Sequence, residues 1–343
     1  MRRELAAALA LGLAGLWIVG CGMAERAQRS ALAEPYLTPW ENLRPIERPA
    51  GEPLQVLATT SILGDVVRQV GGEAISLTTL IPAGVDPHAF QPTPQDARLL
   101  ADADVLFING FGLEEFMADL IEQAGGDAVV VSASLGITPL EAPAELGEKQ
   151  AEHEGEGAQA GVDRQHHAID PHTWFDPNNV IHWTENIEAA LAAADPQHAQ
   201  EYAANADAYR AQLQGLDAEI RQAVERIPPE QRRLVTDHEE LGYFADEYGL
   251  EIVGAVIPSA SSMAEPSAQE MAALFDAIRT GGVRAIFVTS VANPALAQRL
   301  AEDAGVRLVT LYGHSLTDEQ GPASSYLDLM RYNVRAIVEA LAP

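Results

Sequence analysis

The feature that most constrains this chain is an alternation of short β-rich runs with helical stretches, made twice, on either side of one long helical segment. In the first half the runs fall at residues 55–59, 76–81, 104–108 and 128–132, with helical stretches near 62–70, 94–101 and 113–124 between them. In the second half the runs are 233–236, 251–257, 284–289 and 307–311. Helices are predicted there near 239–248, 266–280 and 294–304, and a last one over 325–341. Strands that alternate with helices form parallel βαβ units, so each half is predicted to be an α/β lobe. Between the halves a helix is expected over 177–194, with Val180, Thr184, Ile187 and Leu191 on one face. A second helix follows to Ile227, its face carrying Tyr202, Tyr209, Leu213, Leu216, Ile220 and Val224 at helical spacing. Asp195-Pro196 reads as its N-cap and first-turn proline, and Pro228-Pro229 stops it. About thirty residues at 1.5 Å each make a rod of roughly 45 Å, long enough to cross both lobes. The expected division is an N-terminal lobe over 54–194, a linking helix over 195–228 and a C-terminal lobe over 229–343.

The first residues point to export. Arg2 and Arg3 precede an uncharged apolar run over 5–19, too short for a comfortable membrane anchor, which ends in Ile18-Val-Gly-Cys21. That ending resembles a bacterial lipobox, so residues 1–20 are expected to be a signal peptide and Cys21 the lipidated mature N-terminus. Residues 21–53, rich in Pro, Glu, Arg and Ala, read as a flexible tether. The chain is thus expected outside the cytoplasm, held to the cell membrane by lipid and monomeric. Cys21 is the only cysteine, so a mature metal site would have to use His, Asp or Glu. The formal net charge is −29, a field that repels nucleic acid and concentrates cations without identifying any one of them.

Nine histidines are present, in different settings. His88 lies just past the second predicted strand, His238 where a strand gives way to a helix, and His314 just past the last strand. Ligands of open parallel sheets bind outside the carboxyl ends of the strands, where these three fall. His172 sits in a proline-bracketed turn, Asp170-Pro-His-Thr-Trp-Phe-Asp-Pro177. The gaps of 84, 66 and 76 residues between these four resemble no short local zinc motif. His182 and His198 are read as lying on helices away from the apolar stripes, and as solvated. His153, His166 and His167 belong to an acidic loop over 141–169, which is either an accessory metal collector or a polar tract.

Several segments in order resemble the zinc/manganese class of substrate-binding proteins of bacterial ABC transporters. They are ATTSILGD at 58–65, IPAGVDPH at 81–88, QPTP at 91–94, DPHTWFDP at 170–177, LGYF at 241–244 and AEPS at 264–267. The resemblance implies two α/β lobes joined by a long rigid helix, a metal held in the cleft between them, and a membrane permease as partner. It places the first three ligands on His88, His172 and His238, the third position being histidine or glutamate in the family. The fourth position is commonly an aspartate, where this chain has Gly313-His314-Ser315-Leu316. Either His314 ligates in its stead, or that position is open or filled by another residue. Val288-Thr289-Ser290 also departs from the family, which usually carries an acid there.

Imidazole ligands favour Zn²⁺ over Mn²⁺, which prefers carboxylates, and four nitrogens suit tetrahedral zinc. Asp86, Asp170, Asp237 and Glu239 stand close in sequence as acids that could support the ligands. The site is expected to lose metal on acidification, since imidazole titrates near pH 6.5. A manganese or iron cargo is the nearest alternative. A zinc enzyme with three protein ligands and one open position, with Glu239 as base, is a further one, and a surface adhesin ranks last.

Overall fold

The computed structural model describes residues 37–39, 42–49, 51–114, 116–141, 169–290 and 294–343. The expected signal peptide, Cys21, and His153, His166 and His167 lie outside these residues. Two four-stranded sheets, every pairing parallel, form the frame. The first contains β1 (Leu54–Ala58), β2 (Ile75–Thr79), β3 (Val105–Ile108) and β4 (Val129–Ser132) in the order β2-β1-β3-β4. The second contains β5 (Arg233–His238), β6 (Glu251–Ile257), β7 (Ala285–Thr289) and β8 (Arg307–Leu311) in the equivalent order β6-β5-β7-β8. All residues of β3 and β7 are buried, which explains why these strands read as unbroken apolar runs rather than as alternating ones. In each sheet the chain leaves a central strand first to one side and then to the other. The crevice this creates lies at the carboxyl ends of β1 and β3, and again of β5 and β7.

The helices start on the signals that the sequence carries. Thr60 caps α1 (Ser61–Gly71), and Thr93 with Asp96 makes a capping box on α2 (Pro94–Ala101). Helix α3 (Met117–Ala124) ends on the left-handed Gly125. Asp176 caps α4 (Pro177–Ala194) by accepting from the Asn178 N–H at 2.8 Å. Helix α5 (Ala199–Val224) is the long one. It is followed by α6 (Gly242–Tyr248), α7 (Ala268–Gly281), α8 (Ala295–Ala304) and α9 (Tyr326–Leu341). Among the described residues no helix is long and apolar enough to cross a membrane.

Helix α5 has 26 residues, about 39 Å, and begins later than its sequence suggested. Asp195 does not cap it. The Asp195 N–H bonds the Leu191 carbonyl and closes α4, and a turn through Pro196 separates the two helices. The Asp195 carboxylate ties this turn down instead. It accepts from the Tyr202 hydroxyl at 2.9 Å and from His198 Nδ1 at 2.7 Å, and pairs with Arg48 at 3.0 Å. His198 is therefore a turn residue rather than a helical one. The apolar face of α5 is buried from Tyr202 through Val224 and packs on α4, α1 and α9, so a single helix backs both halves. Fully burying each such side chain contributes about 1.5–3 kcal/mol, and tertiary packing rather than propensity holds the rod.

The front of the molecule is braced as well. Ser315 Oγ accepts from the Gly84 N–H at 2.6 Å, and Ser61 Oγ accepts from the Leu316 N–H at 2.9 Å. Trp174 Nε1 donates to the Gly313 carbonyl at 2.9 Å, and the Tyr326 hydroxyl donates to the Trp174 carbonyl at 2.7 Å. The Ser262 hydroxyl donates to Asp86 Oδ2 at 2.6 Å. Each of these bonds joins one half of the chain to the other.

Candidate metal centre

His238 is the last residue of β5, which runs two residues beyond its predicted end, and His314 follows β8 by three. His88 lies in a short 3₁₀ turn, Pro87–Ala89, capped by Asp86, whose Oδ1 accepts from the His88 N–H at 2.9 Å. His172 precedes a second such turn, Thr173–Phe175, and Asn109 at the end of β3 holds this segment by donating to the Pro171 carbonyl at 2.9 Å. Four separate pieces of chain thus bring four imidazoles to one place. One ring nitrogen from each lies within 4.8 Å of all the others. His172 Nε2 stands 3.1 Å from His88 Nε2 and 3.4 Å from His238 Nε2, and the His238 and His314 ring centroids are 4.8 Å apart. His172, His238 and His314 are buried and His88 is half-buried, so the cluster meets solvent on the His88 side.

Acids fix two of these rings. Asp170 Oδ1 accepts from His172 Nδ1 at 2.8 Å and from the His172 N–H at 2.9 Å. Asp237 Oδ1 lies 3.0 Å from His238 Nδ1, while its Oδ2 accepts from the N–H and hydroxyl of Thr289, both at 2.8 Å. When the acid is ionised and accepts Nδ1–H, each ring keeps the tautomer whose Nε2 lone pair faces the cluster. Burial pushes the His88 imidazole down to about 4, helped by the nearby His238. Burial and then the neighbouring imidazoles hold His172 and His314 well below the usual histidine range. The rings of His88, His172 and His314 are therefore neutral well below pH 6.5, and protonation of these three competes with a metal only at lower pH than an ordinary imidazole would set. Burial raises the Asp170 carboxyl to about 8, against the hydrogen bond from the His172 N–H. Burial works the same way on Asp237, but hydrogen bonds from His238 and Thr289 outweigh it and keep that group well below the usual carboxylate range.

Of the acids picked out by adjacency, Asp86, Asp170 and Asp237 bond the histidine segments as described. Glu239 is only partly buried, and its N–H bonds the Ser259 carbonyl. Its neighbour Glu240, passed over in the sequence, is 1% exposed and places Oε2 3.7 Å from His314 Nε2. The chain turns directly after β5, the Glu240 N–H bonding the His238 carbonyl at 3.0 Å, and this turn carries Glu240 inward. Burial and the Asp237 charge push its carboxyl well above the usual range. His182 and His198 stay outside the cluster, half-exposed beside Glu185 and Asp195.

Four clustered imidazoles, three of them buried and backed by carboxylates, are a donor set that suits a divalent transition metal. Comparisons with known proteins agree with this chemistry. The sequence profile of the zinc-uptake complex component A, periplasmic (ZnuA), matches residues 56–340. The manganese-binding lipoprotein MntA of Halalkalibacterium halodurans is 33% identical over 294 residues, 85% of this chain and 90% of its own length. The iron-binding protein YfeA of Yersinia pestis is 30% identical over 286 residues, 83% of this chain and 85% of its own. Among solved structures, the periplasmic zinc-binding protein TroA of Treponema pallidum superposes with a TM-score of 0.72 at 27% identity, over 85% of this chain and all of that one (100%). A manganese-bound periplasmic metal-binding protein of Candidatus Liberibacter asiaticus gives 0.71 at 28%, over 84% and 99%. The chain belongs to the ZnuA family of metal-binding, substrate-binding proteins of ABC transporters.

Proposed function

We propose that this protein captures Zn²⁺ outside the cytoplasm with His88, His172, His238 and His314 and delivers it to the membrane permease of an ABC importer. The observation that carries the reading is the four-imidazole cluster itself, largely buried and held in place by Asp170 and Asp237. Four nitrogen donors suit tetrahedral zinc, and no carboxylate belongs to the four-membered cluster as a manganese or iron site would favour. Relatives named for manganese and iron make those metals the alternative cargo. The convergence of four side chains argues against a zinc enzyme, whose metal keeps a position open for water. Anchoring through Cys21 rests on the lipobox-like ending of the apolar run and on relatives named as lipoproteins.

Competition of the metal-free protein against a chromophoric chelator tests the reading. One Zn²⁺ is expected to bind per chain, far more tightly than Mn²⁺. His172→Ala is expected to lose the tight site. Preference for Mn²⁺ over Zn²⁺ would reject zinc as the cargo, and unchanged binding by His172→Ala would reject the site.

A further inference from the structure

Each of two buried imidazoles in the cluster has its own carboxylate, Asp170 for His172 and Asp237 for His238. His314 is equally buried, yet neither of its ring nitrogens has a hydrogen-bond partner. Facing it is Glu240, also enclosed, whose two carboxylate oxygens accept no hydrogen bond. A buried carboxylate without a donor costs several kcal/mol, so a chain does not carry one at a binding site without a compensating gain. The packing keeps it there. A side chain at Gly313 would collide with Glu240 Oε2 and Thr289 Cγ2, and glycine is what lets the His314 segment approach this acid. Glu240 groups with Asp237 and His238 but not with the four histidines, which puts it behind the ligand cluster.

We propose that Glu240 is the positioning residue of His314, accepting the ring N–H that the metal does not use and supplying negative charge that four neutral imidazoles lack. Closing the 3.7 Å gap to a hydrogen bond takes a shift of less than about 1 Å. The three buried rings would then each be oriented by one carboxylate, and the dication would be balanced from behind its ligands rather than by them. This inference rests on the cluster being the metal site.

The test uses Glu240→Gln, Glu240→Ala, His314→Ala and the double variant Glu240→Ala/His314→Ala, with Asp303→Asn on exposed α8 as the control. Zn²⁺ affinity is read by chelator competition, the Co²⁺-loaded visible spectrum reports ligand geometry, and melting of the metal-free protein reports stability. Glu240→Ala is expected to weaken Zn²⁺ about 10–100-fold, with Glu240→Gln in between, since it keeps an acceptor but no charge. The Co²⁺ bands should shift, Asp303→Asn should match the parent, and metal-free Glu240→Gln should melt no lower than the parent. In the His314→Ala background, Glu240→Ala should cost clearly less than in the parent, since only its charge then acts on the metal. Equal costs in both backgrounds would overturn a role through His314, and melting losses that match the affinity losses would reduce Glu240 to a structural residue. Parent-like affinity in both Glu240 variants, with His172→Ala still defective, would reject this inference alone. Parent-like binding by His172→Ala would instead reject the metal site beneath it.

Discussion

Zinc binding at neutral pH should release a proton from the Asp170 carboxyl and none from His88, His172 or His314. Asp170 is raised to about 8 by burial, so at pH 7 the metal-free protein holds it about nine-tenths protonated. His88, lowered to about 4, holds about a thousandth of a proton there. A dication on His172 favours the charged form of Asp170, whose Oδ1 is 2.8 Å from His172 Nδ1. Asp170 should therefore give up about 0.9 proton, and Glu240, held above the usual carboxylate range by burial and by Asp237, adds to the release. Because the loaded state binds fewer protons, apparent affinity rises with pH by about one decade per unit near neutrality from Asp170 alone. The slope decreases above pH 8 as Asp170 ionises unaided. Calorimetric titration at pH 7 in three buffers of different ionisation enthalpy gives the proton count directly. Asp170→Asn should reduce it by about 0.9. The same variant carries a second sign. A carboxyl raised in the fold makes the metal-free protein less stable as pH rises from its unfolded value, 3.8, towards 8. Metal-free Asp170→Asn should therefore outlast the parent at pH 8 by a few kcal/mol. Zero proton release at pH 7, an unchanged count in Asp170→Asn, or release centred near pH 6.5 would refute this reasoning.

Other perturbations follow from close packing. A methyl at Gly242 would stand 2.5 Å from Asp170 Oδ2 and displace the acid that orients His172, so Gly242→Ala should lower zinc affinity about tenfold or more in chelator competition. Tyr209 is 1% exposed, and its hydroxyl has no hydrogen-bond partner, so Tyr209→Phe should stabilise the protein by about 1 kcal/mol and raise its melting temperature by a few degrees.

The paired α/β halves and the long helix were legible because their signals are local. Continuous apolar runs such as Val105–Ile108 and the spaced face from Tyr202 to Val224 need no knowledge of the other half. Asp195 misled because an Asp-Pro pair marks a helix start equally well as a turn, and only its contacts with Tyr202, His198 and Arg48 decide between them. The positions of His88, His172 and His238 were readable from strand ends and from resemblance together. Their convergence was not, since segments 66 or more residues apart meet only through the tertiary fold. His314 stood on a departure from the family pattern, and the structure brings it into the same cluster. Glu240 escaped because adjacency favours Glu239 equally, whereas burial separates the two.

The bonds that brace the front of the molecule have a kinetic consequence. Ser315 adjoins His314, Asp86 precedes His88 by two residues, and the Trp174–Gly313 bond joins neighbours of His172 and His314. The latch and the grip are the same short stretches of chain. No rigid displacement of one lobe can spare the coordination sphere, because the histidines it carries travel with the latch. With the cargo on the four histidines as proposed, its escape and the unlatching of the lobes are coupled, and whatever pries the lobes apart also strips the ion of its ligands.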